Sequence, residues 1–381
     1  MTGRTQEYRL VFAGGGTGGH LFPAIAIADR VRELLAGTAP VEILFVGTRR
    51  GLEYRMRDAL GYPLHVINVR GLVRALSPAN LLVPFVLVTA LVRAWLLLGR
   101  FRPDAVVGTG GYVALPVLKA ARWRGVPTVL QEQNSFPGIT TRQGAKHARK
   151  IYLGFDGARQ YLRTEAEVLT TGNPVRRGLS GGDRAAAAAA FGLDPAKKTI
   201  LVLGGSQGAR AINEAVLRSL AGGAPADGCQ ILWQTGKRDY TEVSAKAGGT
   251  AARCALFPFA HDMAAVYAAA DLAVARAGAL TLAELAACAI PAILIPYPHA
   301  AGDHQRKNAR DLAAAGLARV IDENDLPRHD LIAEAADLLE AAEYRTMREK
   351  LESARRQGRP ATDIIAEDII DLINRERKAR A

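Results

Sequence analysis

The stretch A-G-G-G-T-G-G-H, residues 13–20, decides the fold of this chain. The apolar run before it, residues 8–12, predicts a buried parallel strand, and the run after it, residues 21–28, predicts a helix whose first turn tolerates Pro23. Glycines at a strand-to-helix turn let the backbone approach a ligand closely, and the N–H groups at the helix start favour an anionic or oxygen-rich group. This first glycine turn therefore predicts a doubly wound α/β domain that binds a ligand at the turn.

The first glycine turn contains the pattern G-x-G-x-x-G, which occurs in dinucleotide-binding domains. Such a site also requires an acidic residue at the end of the second strand, about 20 positions further on. The second strand is predicted at residues 41–46, where Glu42 lies at the start and G-T-R-R, residues 47–50, follows the end. The sequence therefore argues against a nicotinamide cofactor.

His20 lies at the mouth of the first glycine turn. An imidazole transfers protons near neutral pH, which suits general acid–base chemistry on a polar ligand. The alternative is a structural role in which His20 hydrogen-bonds the start of the helix. The turn alone leaves both interpretations open.

Length and composition set the class of protein. A chain of 381 residues exceeds what one hydrophobic core usually supports, so we expect two domains. The net charge of +12 indicates a polyanionic partner, either a nucleic acid or an anionic membrane surface. The three cysteines are too widely spaced for a disulfide framework or a metal site, which favours a reducing cytoplasm. The first residues lack the apolar region of a signal peptide, so none is expected.

Strands and helical patterns alternate along the chain, which predicts parallel sheets covered by helices. Strands are predicted at 8–13, 41–47, 64–69, 104–108, 127–131 and 149–153, and again at 199–203, 230–234, 254–257, 271–275 and 290–295. A second strand, glycine turn and helix begin at residue 199, which predicts two doubly wound domains with a boundary between 171 and 172. Residues 356–381 predict a final amphipathic helix with a basic end.

The segment 49–102 is both basic and apolar, with nine arginines against Glu53 and Asp58. Residues 81–98 within it are almost continuously apolar and approach the length that spans a bilayer. Arg93 near the middle of this run disfavours a transmembrane helix. A buried helix, and a helix whose apolar face rests on an anionic membrane, are the other two interpretations.

Three places in the second half carry groups suited to a sugar nucleotide. The turn G-G-S-Q-G, residues 204–208, brings the Ser206 hydroxyl and several N–H groups to a helix start, where they suit a diphosphate. Glu284 follows a loop-to-helix junction, where its carboxylate either accepts hydrogen bonds from ribose hydroxyls or only balances the helix dipole. Gln305 lies among amide and imidazole groups that read sugar hydroxyls. Outside these three places, Arg176 near the domain boundary is placed to approach a diphosphate.

No D-x-D pattern occurs in the sequence, and no His, Cys, Asp or Glu cluster has the spacing of metal ligands. We therefore expect no metal and no cofactor. The charge on a leaving diphosphate would be met by helix N-termini and arginines.

Together these stretches resemble the MurG family, the UDP-N-acetylglucosamine (UDP-GlcNAc):lipid I N-acetylglucosaminyltransferases of peptidoglycan synthesis, over essentially the whole chain. The resemblance rests on G-G-G-T-G-G-H (14–20), G-G-Y (110–112), E-Q-N (132–134), T-G-N-P-V-R (171–176), G-G-S-Q-G-A-R (204–210), F-P-F-x-x-D-M (257–263), R-A-G-A-L-T-L-A-E (276–284) and D-H-Q-x-K-N-A (303–309). It implies the GT-B architecture, two Rossmann-like domains facing a cleft. Residues 1–171 would bind the lipid acceptor and associate with the membrane, residues 172–355 would bind UDP-GlcNAc, and residues 356–381 would form a helix that returns toward the first domain.

The resemblance also implies site residues. The donor would be bound by Thr17, Gly18, Gly19, Asn134, Arg176, Ser206, Ala260, Ala279, Leu280, Thr281, Leu282, Ala283, Glu284 and Gln305. The acceptor would be bound by Gly15, Gly16, His20, Tyr112 and Glu132. His304 stands where relatives carry another amide, which leaves its role open.

The implied reaction is an inverting, metal-independent transfer of GlcNAc to the C4 hydroxyl of the MurNAc unit of lipid I, forming lipid II. His20, Glu132 or the substrate itself would take the proton from that hydroxyl. The implied partners are an anionic membrane surface and other cell-wall synthesis proteins, with no nucleic acid. The implied location is peripheral, at the cytoplasmic face of the inner membrane. The alternatives are another glycolipid glycosyltransferase, a UDP-GlcNAc epimerase, or a membrane-surface scaffold or nucleic-acid binder without enzymatic activity.

Overall fold

A computed structural model of the chain describes residues 7–69, 83–205, 208–223, 228–248, 254–260 and 262–380. The chain divides into two units. The first unit comprises Met1–Arg176 and Arg359–Ala381, and the second comprises Arg177–Gly358. Each unit is built on its own parallel sheet.

The first unit contains a seven-stranded sheet of order β3-β2-β1-β4-β5-β6-β7 in which every pairing is parallel. Its strands are β1 (Tyr8–Gly14), β2 (Val41–Gly47), β3 (Leu64–Val66), β4 (Ala105–Gly110), β5 (Thr128–Glu132), β6 (Lys150–Leu153) and β7 (Glu167–Thr170). Its helices are α1 (Gly18–Leu35), α2 (Leu52–Arg55), α3 (Val83–Phe101), α4 (Ala114–Trp123), α5 (Ile139–Gly144) and, at the end of the chain, α14 (Ala361–Arg380). The central strands are buried because helices cover both faces of the sheet. One core contains residues of α1 and α14, and the other contains residues of α3 and α4.

The second unit contains a six-stranded parallel sheet of order β10-β9-β8-β11-β12-β13. Its strands are β8 (Lys198–Leu203), β9 (Cys229–Gln234), β10 (Cys254–Phe257), β11 (Leu272–Ala275), β12 (Ala292–Leu294) and β13 (Ala318–Val320). Its helices are α6 (Arg184–Ala190), α7 (Arg210–Gly222), α8 (Tyr240–Ala247), α9 (Met263–Ala269), α10 (Ala279–Ala287), α11 (His304–Ala314), α12 (Leu331–Glu340) and α13 (Ala342–Gln357). The fully buried Trp233 of β9 belongs to the core that this sheet forms with its helices.

The predicted fold class, two doubly wound α/β domains, is confirmed. Each predicted strand is present, although β3 and β12 are shorter than predicted. The sequence analysis missed two strands, β7 and β13, which lie at sheet edges and have only three or four residues. Such short edge strands carry too few residues for a periodic pattern to be recognised.

The two units divide five residues after the sequence-derived boundary, at 176/177, and again at 358/359. Contacts within the first unit explain the difference. The Thr362 hydroxyl of α14 donates to the Val175 carbonyl at 3.1 Å, and the Arg176 guanidinium lies 5.0 Å from the centre of the Phe22 ring. The motif T-G-N-P-V-R therefore belongs to the first unit rather than the second.

Helix α3 contains most of the apolar run predicted at 81–98, whose first two residues lie outside the described part of the chain. Ala90, Ala94 and Leu98 are buried against the first unit, whereas Phe85 is 72% exposed. Val88, Val92, Trp95 and Leu96 are also exposed. The interpretation as an ordinary buried helix is therefore wrong, because one face of α3 is apolar and uncovered. Among the helices that the structure describes, none is long and apolar enough to cross a bilayer.

Candidate active site

The first glycine turn joins β1 to α1, as predicted. Thr17 precedes the helix, and Gly18 and Gly19 are its first residues, so their N–H groups have no acceptor inside α1. Gly15 is buried, whereas Gly16, Thr17 and Gly19 are exposed. The turn therefore presents backbone donors to a ligand of the first unit.

His20 is oriented by Gln133 of the E-Q-N motif. The Gln133 amide nitrogen donates to the Thr109 carbonyl at 2.8 Å and to the Gln131 carbonyl at 3.0 Å, so the amide oxygen faces His20. His20 Nδ1 lies 2.8 Å from that oxygen and must donate a proton to it. The lone pair of the imidazole is therefore on Nε2, which is the arrangement that a general base requires.

The turn G-G-Y, residues 110–112, closes against the first glycine turn. A Cβ atom on Gly110 would lie 2.7 Å from His20 Nδ1, and one on Gly111 would lie 2.5 Å from the Gly15 carbonyl oxygen. Both glycines also have positive φ, which disfavours any other residue. Tyr112 follows them with 66% of its surface exposed. The close approach of the two turns fixes the position of the His20 ring.

Glu132 is buried at the end of β5 and holds the loop that follows. One carboxylate oxygen accepts the Asn134 N–H at 3.1 Å, and the other accepts the Gly138 N–H at 3.1 Å. Both oxygens are thus engaged by backbone donors. The T-G-N-P-V-R turn joins the same edge, because the Asn173 amide donates to the Gln133 carbonyl at 2.9 Å.

Glu53 is a residue that the sequence analysis used only in counting charge. Its side chain is fully buried beneath the first glycine turn. Its carboxylate accepts the Gly16 N–H at 2.7 Å, the Thr48 N–H at 2.8 Å and the Thr48 hydroxyl at 3.2 Å. In the sequence, Glu53 could have been noticed as an acidic residue shortly after β2. It lies on α2, however, and not at the strand end where a dinucleotide site requires an acidic residue.

In the second unit, β8 leads into the turn at 204–208, as predicted. Ser206 lies outside the described residues. The Gln234 amide connects this turn to another predicted donor residue. Its nitrogen donates to the Gly205 carbonyl at 3.2 Å, and its oxygen accepts the Ala260 N–H at 3.0 Å. The turn and Ala260 are therefore neighbours at the carboxyl edge of the sheet.

Helix α10 contains the predicted residues from position 279 to Glu284. Ala279 and Leu282 are buried, and the others in this run (Leu280, Thr281, Ala283 and Glu284) are partly exposed. The buried Tyr267 hydroxyl donates to one Glu284 carboxylate oxygen at 2.7 Å. Tyr267 thereby restricts the orientation of Glu284, and no pattern in the sequence pointed to this contact.

Gln305 is the second residue of α11. Its amide oxygen accepts the Tyr297 N–H at 3.0 Å, which directs the amide nitrogen, a donor, to other groups. His304 Nδ1 lies 2.7 Å from the Ala301 carbonyl and donates to it. Arg276, the first residue of the R-A-G-A-L-T-L-A-E motif, pairs with Glu323 and donates to the Ile295 carbonyl at 3.1 Å. Arg276 therefore stabilises its own unit.

Comparison with known proteins identifies the family. The model of the glycosyltransferase family 28 N-terminal domain matches residues 10–153, and that of the family 28 C-terminal domain matches residues 199–366. The curated UDP-N-acetylglucosamine--N-acetylmuramyl-(pentapeptide) pyrophosphoryl-undecaprenol N-acetylglucosamine transferase of Chlorobium luteolum is 44% identical over 367 residues, which are 95% of this chain and 98% of the relative.

A relative of the same name from Salinibacter ruber is 43% identical over 98% of this chain and 99% of its own. Among solved structures, the crystal structure of Acinetobacter baumannii MurG matches with a TM-score of 0.73 and 28% identity, covering 97% of this chain and 99% of that one. These matches extend over both units and confirm the resemblance found in the sequence. The chain belongs to the MurG family of N-acetylglucosaminyltransferases, within glycosyltransferase family 28.

Proposed function

We propose that this protein transfers GlcNAc from UDP-GlcNAc to the C4 hydroxyl of the MurNAc unit of undecaprenyl-diphosphate-MurNAc-pentapeptide, lipid I, and so forms lipid II. Relatives whose names state this activity align with nearly the whole chain. The observation that carries the proposal is the His20 imidazole, whose Nδ1–H is held by Gln133, which leaves Nε2 unprotonated and able to act as a base.

The reaction is a single displacement with inversion at C1 of GlcNAc. The acceptor C4 oxygen forms a bond to C1 as the bond from C1 to the UDP oxygen breaks, and the hydroxyl proton passes to His20 Nε2. The Gln133 amide oxygen then stabilises the imidazolium through its hydrogen bond to Nδ1–H. Glu132 is the weaker candidate because both its oxygens already accept backbone hydrogen bonds.

The donor would be held by the second unit. Ser206 and its turn would meet the diphosphate, Ala260 would lie by the uracil, and Glu284, oriented by Tyr267, would accept the ribose hydroxyls. Gln305 would donate to a hydroxyl of GlcNAc. The resemblance to the MurG family also assigns the backbone donors at the start of α1, Asn134 and Arg176 to donor binding. Because the sequence lacks a D-x-D pattern, we assign stabilisation of the leaving diphosphate to helix N-termini and arginine.

We further propose that the exposed face of α3 rests on an anionic membrane, at the cytoplasmic side where the acceptor would be reached. Large apolar side chains on this face, including Phe85 and Trp95, are uncovered, and Trp123 at the end of the neighbouring α4 is also exposed. Arg93 and Arg100 of the same helix are exposed and supply positive charge.

A transfer assay tests the proposed function. Purified protein is incubated with radiolabelled UDP-GlcNAc and a short-chain lipid I analogue in EDTA, with UDP-GalNAc in parallel. We expect label to move to the lipid from UDP-GlcNAc only. His20→Ala should lose turnover by about a hundredfold or more and still bind UDP, while His147→Ala, an exposed histidine elsewhere in the unit, should behave as wild type. Formation of an epimer without acceptor would contradict the proposal.

A further inference from the structure

The first glycine turn already binds a carboxylate of the protein itself, that of Glu53. The Gly16 N–H points into the protein and donates to the buried Glu53 carboxylate at 2.7 Å. The other oxygen of this carboxylate accepts the Thr48 N–H and hydroxyl. In the described part of the chain, no ion pair involves Glu53. A diphosphate placed on Gly16 would therefore find its N–H occupied and a like charge beneath it.

A pocket of about 480 Å³ opens beside this turn, at the carboxyl ends of β2 and β3. Three arginines line it, Arg49 and Arg50 from the loop after β2 and Arg93 from α3, and we name it the arginine pocket. Thr48 and Asn68 add a hydroxyl and an amide, and none of the described residues that line the pocket is a carboxylate. Its three guanidinium groups form no ion pair within the described residues. The pocket has the chemistry of a diphosphate site.

The arginine pocket adjoins a smaller pocket of about 220 Å³ that contains Gly15, Gly16 and Tyr112. Thr48, Arg50 and Val69 line both pockets, so the two spaces adjoin along these three residues. The smaller pocket lies against the turn that carries His20. Gly15, Gly16 and Tyr112, which the resemblance assigns to the acceptor, therefore border a space beside Arg50 in which a sugar would lie.

Helix α3 contributes Val86 and Arg93 to the lining of the arginine pocket. Among the described residues, it contributes none to the lining of the smaller pocket. The exposed apolar residues of α3 follow directly, with Phe85 and Val88 on either side of Val86. Polar turn, arginines and apolar face thus succeed one another along the first unit. A lipid-linked sugar has the same order of parts: sugar, diphosphate and hydrocarbon.

We propose that the arginine pocket binds the diphosphate of the lipid-linked acceptor, and that the first glycine turn receives only its sugar. This inference rests on the proposed function and refines it, because it assigns the acceptor diphosphate to Arg49, Arg50 and Arg93 and leaves the first glycine turn to the sugar. Arginine donates two parallel hydrogen bonds to phosphate oxygens, so each side chain contributes to acceptor affinity without touching the reacting C4 hydroxyl.

The test replaces single arginines and measures kinetics with a short-chain, water-soluble acceptor, so that membrane binding does not contribute. Arg50→Gln and Arg93→Gln should each raise the acceptor KM about tenfold, with kcat and the UDP-GlcNAc KM within about twofold of wild type. Arg55→Gln is the matched control, since Arg55 is exposed on the neighbouring α2 and lines neither pocket. With an acceptor whose diphosphate is replaced by a neutral linker, the variants and the wild type should have the same KM.

Calorimetry with geranyl diphosphate, in the absence of UDP-GlcNAc, tests the pocket without turnover. Wild type and Arg55→Gln should bind it equally, and Arg50→Gln and Arg93→Gln about tenfold more weakly. Equal binding by all four proteins, or an equal rise in KM with the neutral acceptor, would overturn the proposal. Loss of transfer by the wild type, with this pattern of geranyl diphosphate binding intact, would instead count against the proposed function.

Discussion

Replacing Glu53 with glutamine tests whether this buried carboxylate positions the first glycine turn. The substitution keeps the size of the side chain and removes its charge. The amide oxygen can still accept one N–H, but the amide NH₂ then faces the other donor, so either Gly16 or Thr48 loses its acceptor. These donors lie 2.7 and 2.8 Å from the carboxylate in the native protein.

The expected loss of hydrogen-bond free energy follows from these contacts. A hydrogen bond to a charged group contributes about 1.5–3 kcal/mol, and the two N–H groups lie in a partly buried turn, which places the cost at about 2 kcal/mol. Each 1.4 kcal/mol is a factor of ten, so amide hydrogen exchange at whichever of Gly16 and Thr48 loses its acceptor should accelerate by about thirtyfold. Since the turn also carries His20, kcat should fall while UDP affinity, a property of the second unit, stays within about twofold.

Hydrogen exchange followed by mass spectrometry measures the effect on peptides that contain the two amides. Glu42→Gln is the control, because Glu42 lies on β2 and its carboxylate forms an exposed ion pair with Arg9 at 3.3 Å. That variant should change exchange in the turn by less than about twofold. If Glu53→Gln exchanges at the same rate as Glu42→Gln, Glu53 does not hold the turn and the reasoning fails.

Three further predictions concern the site. Gly110→Ala places a Cβ atom 2.7 Å from His20 Nδ1, so kcat should fall at least about a hundredfold while UDP binding is kept, as measured by the transfer assay and a UDP titration. Tyr267→Phe removes the 2.7 Å hydrogen bond to Glu284, so the UDP-GlcNAc KM should rise about fivefold. Burial, with the Glu284 carboxylate nearby, raises the pKa of the Cys288 thiol from its ordinary value near 9 to about 12. Iodoacetamide should therefore alkylate Cys288 at pH 8 at least about a hundredfold more slowly in the native protein than in urea. Because the folded-state pKa is the higher one, this thiol ionises first in the unfolded chain. The free energy of unfolding should therefore fall as the pH rises above about 9.

Each of these predictions has an outcome that contradicts it. Normal turnover by Gly110→Ala would mean that the His20 ring does not need its present position. An equal loss of affinity by Tyr267→Phe for a donor with a 2′,3′-dideoxyribose would separate Tyr267 from ribose binding. Rapid alkylation of native Cys288 would show that its surroundings are open to water.

Local residue patterns were enough to predict the two doubly wound domains and several parts of the site. Strand periodicity and glycine turns are local properties, so β1 with the first glycine turn, and β8 with the turn at 204–208, were predicted from neighbouring residues alone. The same local reasoning placed His20 beside the first turn. It also placed Glu284 on a helix that follows a strand and loop.

How these residues are held depends instead on contacts between distant parts of the chain. Glu53 and Gly16 are 37 positions apart, and His20 and Gln133 are 113 positions apart, yet each pair is joined by a hydrogen bond. The pairing of parallel strands through crossover helices brings such residues to one edge of the sheet, and no local pattern encodes which side chains then meet. For the same reason the proton on His20 Nδ1, the orientation of Glu284 by Tyr267 and the uncovered face of α3 follow from packing between distant segments, whereas the turns themselves follow from the sequence.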